Sequence, residues 1–251
     1  MEPVTKIESV PTSPQPLATH QLPITHYQNS FMCGRFTLSQ PAEAIASTFQ
    51  LSLIPELAPR YNIAPTQPVP TILSDGDRRR FQMLRWGLIP SWAKDASMGA
   101  KMINARAETV AEKPAFRSAF RRRRCLVVAD GFYEWQSQKG KKQPFYFRLQ
   151  DGQPFAFAGL WETWQAPDGE KIDSCTLLTT TANSLLRSVH DRMPVILKPE
   201  DYNQWLDPQI QEPDELQPLL QPYSSEAMVS YPVSTKVNKP TNDSLECIDS
   251  L

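Results

Sequence analysis

A few polar side chains sit where ordinary packing does not obviously place them. His190 is the one histidine in the body of the chain, in SVHDRMPVIL, since His20 and His26 both fall within the first 31 residues. It stands between a short helical stretch and an apolar run, flanked by Asp191 and Arg192. Such a junction can hold a proton-transfer group at a pocket rim, although a lone histidine also serves structure. Glu134 lies in GFYEWQ between Tyr133 and Trp135. If the run is a strand, alternation lets Glu134 face solvent while the aromatics pack; the other reading is a carboxylate at a pocket, available as acid or base. Both readings stand on this pattern alone. In NARAET, Asn104 and Arg106 are two apart and share a face if extended. The amide both donates and accepts, and the guanidinium can grip a phosphate with two parallel hydrogen bonds. RWGLIPSW carries Arg85, Trp86 and Trp92. Exposed tryptophans stack on unpaired bases, but the core is their commoner place. The run Arg121–Arg124 resembles a nucleic-acid patch, yet alternate members of a strand face opposite ways and such runs are usually solvated.

The elements that must position these groups are mostly strands. CGRFTL reads as a short strand, followed by a helix capped by Ser39 and running to about Phe49, with Pro41 near its first turn. FQMLRW, CLVVAD, FYEWQ, FYFRLQ, FAFAGLWE, SCTLLTT and MPVIL are strand-like, separated by Gly, Asp and Lys turns. EKPAFRSAF, ANSLLRSV, EDYNQWL and DELQPLL are short helices. The fold class that follows is α+β: one β-rich domain, with a partly barrel-like sheet and short surrounding helices. The 24 prolines suit many loops and short elements. No Gly-x-Gly-x-x-Gly or Walker loop follows a strand, which argues against a doubly wound nucleotide fold.

The balance of 40% hydrophobic and 21% charged residues is that of a globular chain, and no apolar run is long enough to span a bilayer, so no membrane association is expected. The four cysteines, Cys33, Cys125, Cys175 and Cys247, show no C-x-x-C spacing, so no zinc site or other metal or cofactor is expected. Cys125 and Cys175 sit in apolar runs as buried small hydrophobes. Charge is uneven. Residues 33–198 carry 23 Lys and Arg against 15 Asp and Glu, a net of +8, and residues 199–251 carry 2 against 10, a net of -8. A basic body permits a polyanion ligand without demanding one. Residues 1–31, rich in Pro, Thr, Ser and Gln, read as a disordered leader; residues 32–238 as one domain; and residues 239–251 as a flexible tail.

Eight separated blocks, MCGRF, RYNIAPTQ, RWGLIPSWAKD, NARAETVAEKPAFRSAFRRRRCLVVADGFYEW, FAGLWE, TLLTTTAN, HDRMPVIL and VSTKVN, occur in order across residues 32–238. In this ordered set the chain resembles the SOS response-associated peptidase family of abasic site processing proteins. The resemblance implies that an initiator Met is removed and that the exposed N-terminal Cys condenses with a ring-opened abasic sugar in single-stranded DNA. The product is a thiazolidine joining protein to DNA. On that resemblance the attachment residue is Cys33, after Met32. The other active-site residues are Asn104, Glu134 and His190, and the DNA-backbone arginines are Arg35, Arg106 and Arg192. Residues 1–31 depart from the family pattern, so either translation starts at Met32 or the leader is removed. Two other readings are a thiol-dependent peptidase and a non-covalent single-stranded-DNA-binding protein whose Cys33 stays internal. A monomer is expected, cytoplasmic or nucleoid-associated in a bacterium and nuclear in a eukaryote.

Overall fold

The computed structural model describes residues 33–251 except 54, 55, 77 and 139; the proposed leader, 1–31, lies outside the described residues. Thirteen strands and four short α-helices follow. They are β1 (Phe36–Leu38), α1 (Ala42–Thr48), β2 (Arg60–Ile63), β3 (Pro68–Asp75), β4 (Arg78–Trp86), β5 (Asn104–Arg106), α2 (Arg117–Arg122), β6 (Arg124–Ala129) and β7 (Gly131–Gln138). Then come β8 (Lys141–Leu149), β9 (Phe155–Gln165), β10 (Lys171–Thr181), β11 (Arg192–Pro194), β12 (Ile196–Leu197), α3 (Tyr202–Leu206), α4 (Pro213–Leu216) and β13 (Met228–Pro232).

The expected barrel is present and closed. Strands β10, β4, β3, β6 and β9 pair in sequence, and β9 returns to β10 over Gln165–Gly159, so these five have no free edge. β5, β11 and β12 extend this sheet, β5 running parallel to β10. A second sheet, in the order β13-β8-β7-β1-β2, packs on the barrel. The junction is aromatic. Phe36 of β1 lies 5.1 Å from Trp86 and 5.8 Å from Phe157, and Phe132 of β7 lies 5.9 Å from Phe157 and 5.3 Å from Phe147. Burying each of these rings is worth about 1.5–3 kcal/mol. Cys125 and Cys175 are fully buried, as expected of small hydrophobes.

Four expectations need correction. Ser39 does not cap α1: the residue before the helix is Pro41, with no side-chain cap. The Ser39 amide and hydroxyl instead donate to Asp130 Oδ2 at 2.5 and 2.8 Å, because that buried carboxylate needs donors. The run Arg121–Arg124 is not solvated throughout. Arg124 is 4% exposed and donates to the carbonyls of Phe120, Arg121, Trp205 and Asp207. Trp86 cannot stack on a base. It is fully buried, and its Nε1 donates to the Ile103 carbonyl at 2.9 Å. Finally, residues 239–251 are not a loose tail. Asp243 accepts from Arg60 and from the amides of Tyr61 and Asn62, Cys247 is buried, and Ser250 bridges Val233.

Candidate active site

β7 explains why a carboxylate is buried among aromatics. Successive side chains alternate, so Glu134 shares the face of Phe132, which is turned toward the barrel. Of the two readings left open by the sequence, the solvent-facing one is excluded: Glu134 is 2% exposed. β1 runs antiparallel to β7, pairing Phe36 with Phe132, and the Tyr133 amide donates to the Arg35 carbonyl at 3.0 Å. That register delivers Cys33, three residues before Phe36, to Glu134.

Both reactive atoms of Cys33 converge on one oxygen. The Cys33 nitrogen donates to Glu134 Oε1 at 2.7 Å, and Sγ donates to the same oxygen at 2.8 Å. Cys33 has φ +44°, in the left-handed region that L side chains rarely adopt, so its own backbone is strained. Burial pushes the Glu134 carboxyl up; the Cys33 bonds and nearby His190 pull the other way. Burial also pushes the Cys33 thiol up, reinforced by Glu134 and opposed by the charge of Arg192. Burial thus favours the neutral form of both groups.

His190 and Arg192 are tied together. The Arg192 amide donates to His190 Nδ1 at 3.0 Å, which leaves Nε2 as the imidazole N–H. Asp191 lies 3.0 Å from the same Nδ1, but its side chain is 87% exposed and the half-buried amide is the better claimant. The Arg192 guanidinium is itself buried. Its fork meets Glu108 with Nη1–Oε1 at 2.5 Å and Nη2–Oε2 at 2.9 Å, and Nη2 also donates to the Thr179 carbonyl at 2.6 Å. These bonds hold the Glu108 carboxyl below its usual range.

Asn104 and Arg106 do lie two apart on β5, paired with Leu177 and Thr179 of β10, with Arg106 exposed. Asn104 follows Ile103, and Ile103 lines a cleft of about 350 Å3 with Gly34, Arg35, Pro65, Thr66 and Trp135. Arg35 reaches this cleft while its Nη1 donates to Asn62 Oδ1 at 3.0 Å and the Val237 carbonyl at 2.7 Å. Trp92 is 59% exposed but is not among the residues lining the cleft. Sequence reasoning assigned no role to Pro65, Trp135, Glu108 or Asn62. Asn62 and Pro65 fall in RYNIAPTQ, Glu108 in NARAET and Trp135 in GFYEWQ, so the signal available was membership of the ordered blocks.

Comparison with known proteins bears on this geometry. The model of the family described as SOS response associated peptidase (SRAP) matches residues 32–240, from just before Cys33 through the segment that holds Arg35. The chain belongs to the SRAP family. Among its relatives is abasic site processing protein YoqW of Bacillus subtilis, 49% identical over 223 residues that cover 87% of this chain and all of that protein. Abasic site processing protein YoaM of the same organism is 47% identical, covering 87% of this chain and 98% of its own length. A crystal structure of a Bacteroides thetaiotaomicron protein superposes with a TM-score of 0.77 at 30% identity, covering 87% of this chain and all of that one. This SRAP chain therefore carries the family's fold around Cys33, Glu134 and His190.

Proposed function

We propose that this protein processes abasic sites in single-stranded DNA by forming a covalent thiazolidine through Cys33, once Cys33 is the first residue. The observation that carries the reading is the convergence of the Cys33 nitrogen and thiol on Glu134 Oε1, at 2.7 and 2.8 Å. An aldehyde is captured stably by an amine and a thiol on adjacent carbons, and one carboxylate here addresses both.

The chemistry balances as a condensation. The closed sugar opens when its C1–O4 bond breaks, with a proton delivered to O4 and one removed from the C1 hydroxyl; His190 supplies that transfer. The Cys33 α-amine, with an ordinary pKa of about 7.7–8.0, attacks the C1 aldehyde and water leaves, giving an imine. Sγ then adds to the imine carbon, its proton passing through Glu134 to the nitrogen, and the five-membered ring closes. Arg35 and Arg106 hold phosphates and carry no base information. Exposed Trp92 offers a stacking surface for an unpaired base along the strand.

An acylated Cys33 nitrogen has its lone pair delocalised into a carbonyl and cannot form the imine. Removal of the preceding residue is therefore required. In hydrolytic removal, water adds to the acyl carbon, the C–N bond breaks with Glu134 in reach to hand a proton to the departing nitrogen, the acyl part leaves as a carboxylic acid, and the strain at Cys33 is released. Translation from Met32 followed by Met removal reaches the same species by a shorter route.

The test is to produce the chain from Met1 and from Met32, record intact masses, and mix each with single-stranded DNA bearing one abasic site. Only molecules beginning at Cys33 should gain the mass of the DNA less one water. Cys33→Ala should give no adduct. A stable adduct on molecules that retain residues 1–32, or on Cys33→Ala, overturns the reading.

A further inference from the structure

The C-terminal segment is fastened to two residues that line the cleft, Arg35 and Trp135. Asn62, on β2, is fully buried. Its Nδ2 donates to the carbonyls of Val237, Lys239 and Asn242 at 3.1, 3.0 and 2.7 Å, and its Oδ1 accepts from Arg35. One side chain thus meets three carbonyls of the segment and also fixes the guanidinium of Arg35, a residue that lines the cleft. Arg35 reinforces the arrangement through the Val237 carbonyl at 2.7 Å. Asn238, exposed on the same segment, accepts from Trp135 Nε1 through Oδ1 at 2.7 Å. Trp135 is the residue after Glu134, and it lines the cleft with Gly34, Arg35 and Pro65. The two fastened side chains therefore stand beside the two reactive residues: Arg35 two positions after Cys33, and Trp135 one position after Glu134.

We propose that Asn62 and Asn238 are positioning residues, which fasten residues 236–243 as a clasp that sets Arg35 and Trp135 on the wall of the cleft receiving the abasic strand. The proposal rests on the crosslinking reading above for its substrate. A half-buried indole or guanidinium with free rotation loses conformational entropy on binding; one already fixed by hydrogen bonds does not. The clasp therefore acts on capture of the strand, and not on bond formation at Cys33. Asn62 cannot be tested cleanly by itself, since removing a buried amide that serves three carbonyls endangers the fold. Asn238 is exposed, so its substitution leaves the core untouched.

The experiment uses the full chain beginning at Cys33 and measures the adduct rate against DNA concentration for the parent, Asn238→Ala, Trp135→Phe and the double variant. Trp135→Phe keeps an aromatic ring but removes the N–H. Loss of one fixing hydrogen bond should raise the half-saturating DNA concentration of Asn238→Ala roughly two- to tenfold. The rate at saturation should stay within about twofold, and thermal melting should be unchanged. In the Trp135→Phe background, Asn238→Ala should have no further effect, since the bond it removes is already gone. Tryptophan emission of the DNA-free protein should also shift between parent and Asn238→Ala, and should be the same for Trp135→Phe and the double variant. Equal half-saturation for parent and Asn238→Ala, or equal effects of Asn238→Ala in both backgrounds, overturns the clasp. A parent that forms no adduct at all overturns the crosslinking reading instead, while the emission comparison still decides whether Asn238 fixes Trp135.

Discussion

At the level of single residues the most informative is Glu134. Burial raises its carboxyl above the usual range, so the folded protein holds this proton more tightly than the unfolded chain does. The sign of the linkage follows. A carboxyl raised on folding favours the folded state fully only below its unfolded pKa of about 4.3, and that contribution is lost as pH rises through the folded value. Ionised Glu134 is thus a destabilising group kept for its chemistry, the kind of cost that active sites carry. Glu134→Gln, which stays neutral, should melt at a higher temperature than the parent near pH 8, and the difference should shrink toward pH 4. The same variant should lose most of its adduct rate near neutrality, because an amide cannot relay the thiol proton. Melting curves from pH 4 to 8 check the first statement; a parent that gains stability relative to the Gln variant as pH rises would reverse the electrostatic account. Glu134 also marks the limit of local pattern. Alternation in GFYEWQ is real, but both faces are covered by distant segments, Phe132 meeting Phe157 on one side and Tyr133 packing with Val233, Val237 and Cys247 on the other. The same holds for Trp86, whose indole is claimed by the Ile103 carbonyl.

At the level of elements, the strongly patterned strands were legible: FQMLRW, CLVVAD and FAFAGLWE became β4, β6 and β9 of the barrel. β3 was hidden by Pro68 and Pro70, residues that argue against a central strand. The structure accommodates them because β6 pairs only with Thr71–Leu73, beyond both prolines. The ordered C-terminal segment was hidden for a different reason. Its composition is that of a tail, and what holds it is Asp243 and Asn62, partners some 180 positions apart in sequence. Barrel closure was likewise unreadable from any one strand, although Gly159 shows how tightly it is made. A Cβ there would meet Cys125 Sγ at 2.7 Å and Val127 Cγ2 at 2.9 Å, where β9 crosses β6. Gly159→Ala should therefore cost about 1–3 kcal/mol by overpacking. Denaturant unfolding measures this, and a variant as stable as the parent would show that β6 and β9 move apart freely.

For the whole molecule, charge decides how a strand is met. The excess of +8 over residues 33–198 gives a general attraction, but individual arginines differ in how much charge they can offer. Arg106 is exposed at the end of β5. Arg192, which the family resemblance places on the DNA backbone, already has its fork filled by Glu108 and Thr179. A phosphate reaching Arg192 must displace or share a carboxylate, so the net charge released to solvent is smaller. Binding to single strands falls with salt by about 0.7 in log–log slope for each phosphate neutralised. Arg106→Ala should flatten the slope by about that amount, with a similar loss of affinity for every DNA sequence. Arg192→Ala should flatten it less and slow adduct formation more, because the lost guanidinium charge is one that favours the Cys33 thiolate. Titrations of Cys33→Ala protein on abasic single strands at several salt concentrations isolate binding from capture. Equal flattening by the two arginine changes would mean that Glu108 yields its place to a phosphate on binding, and that Arg192 serves the DNA backbone as fully as Arg106.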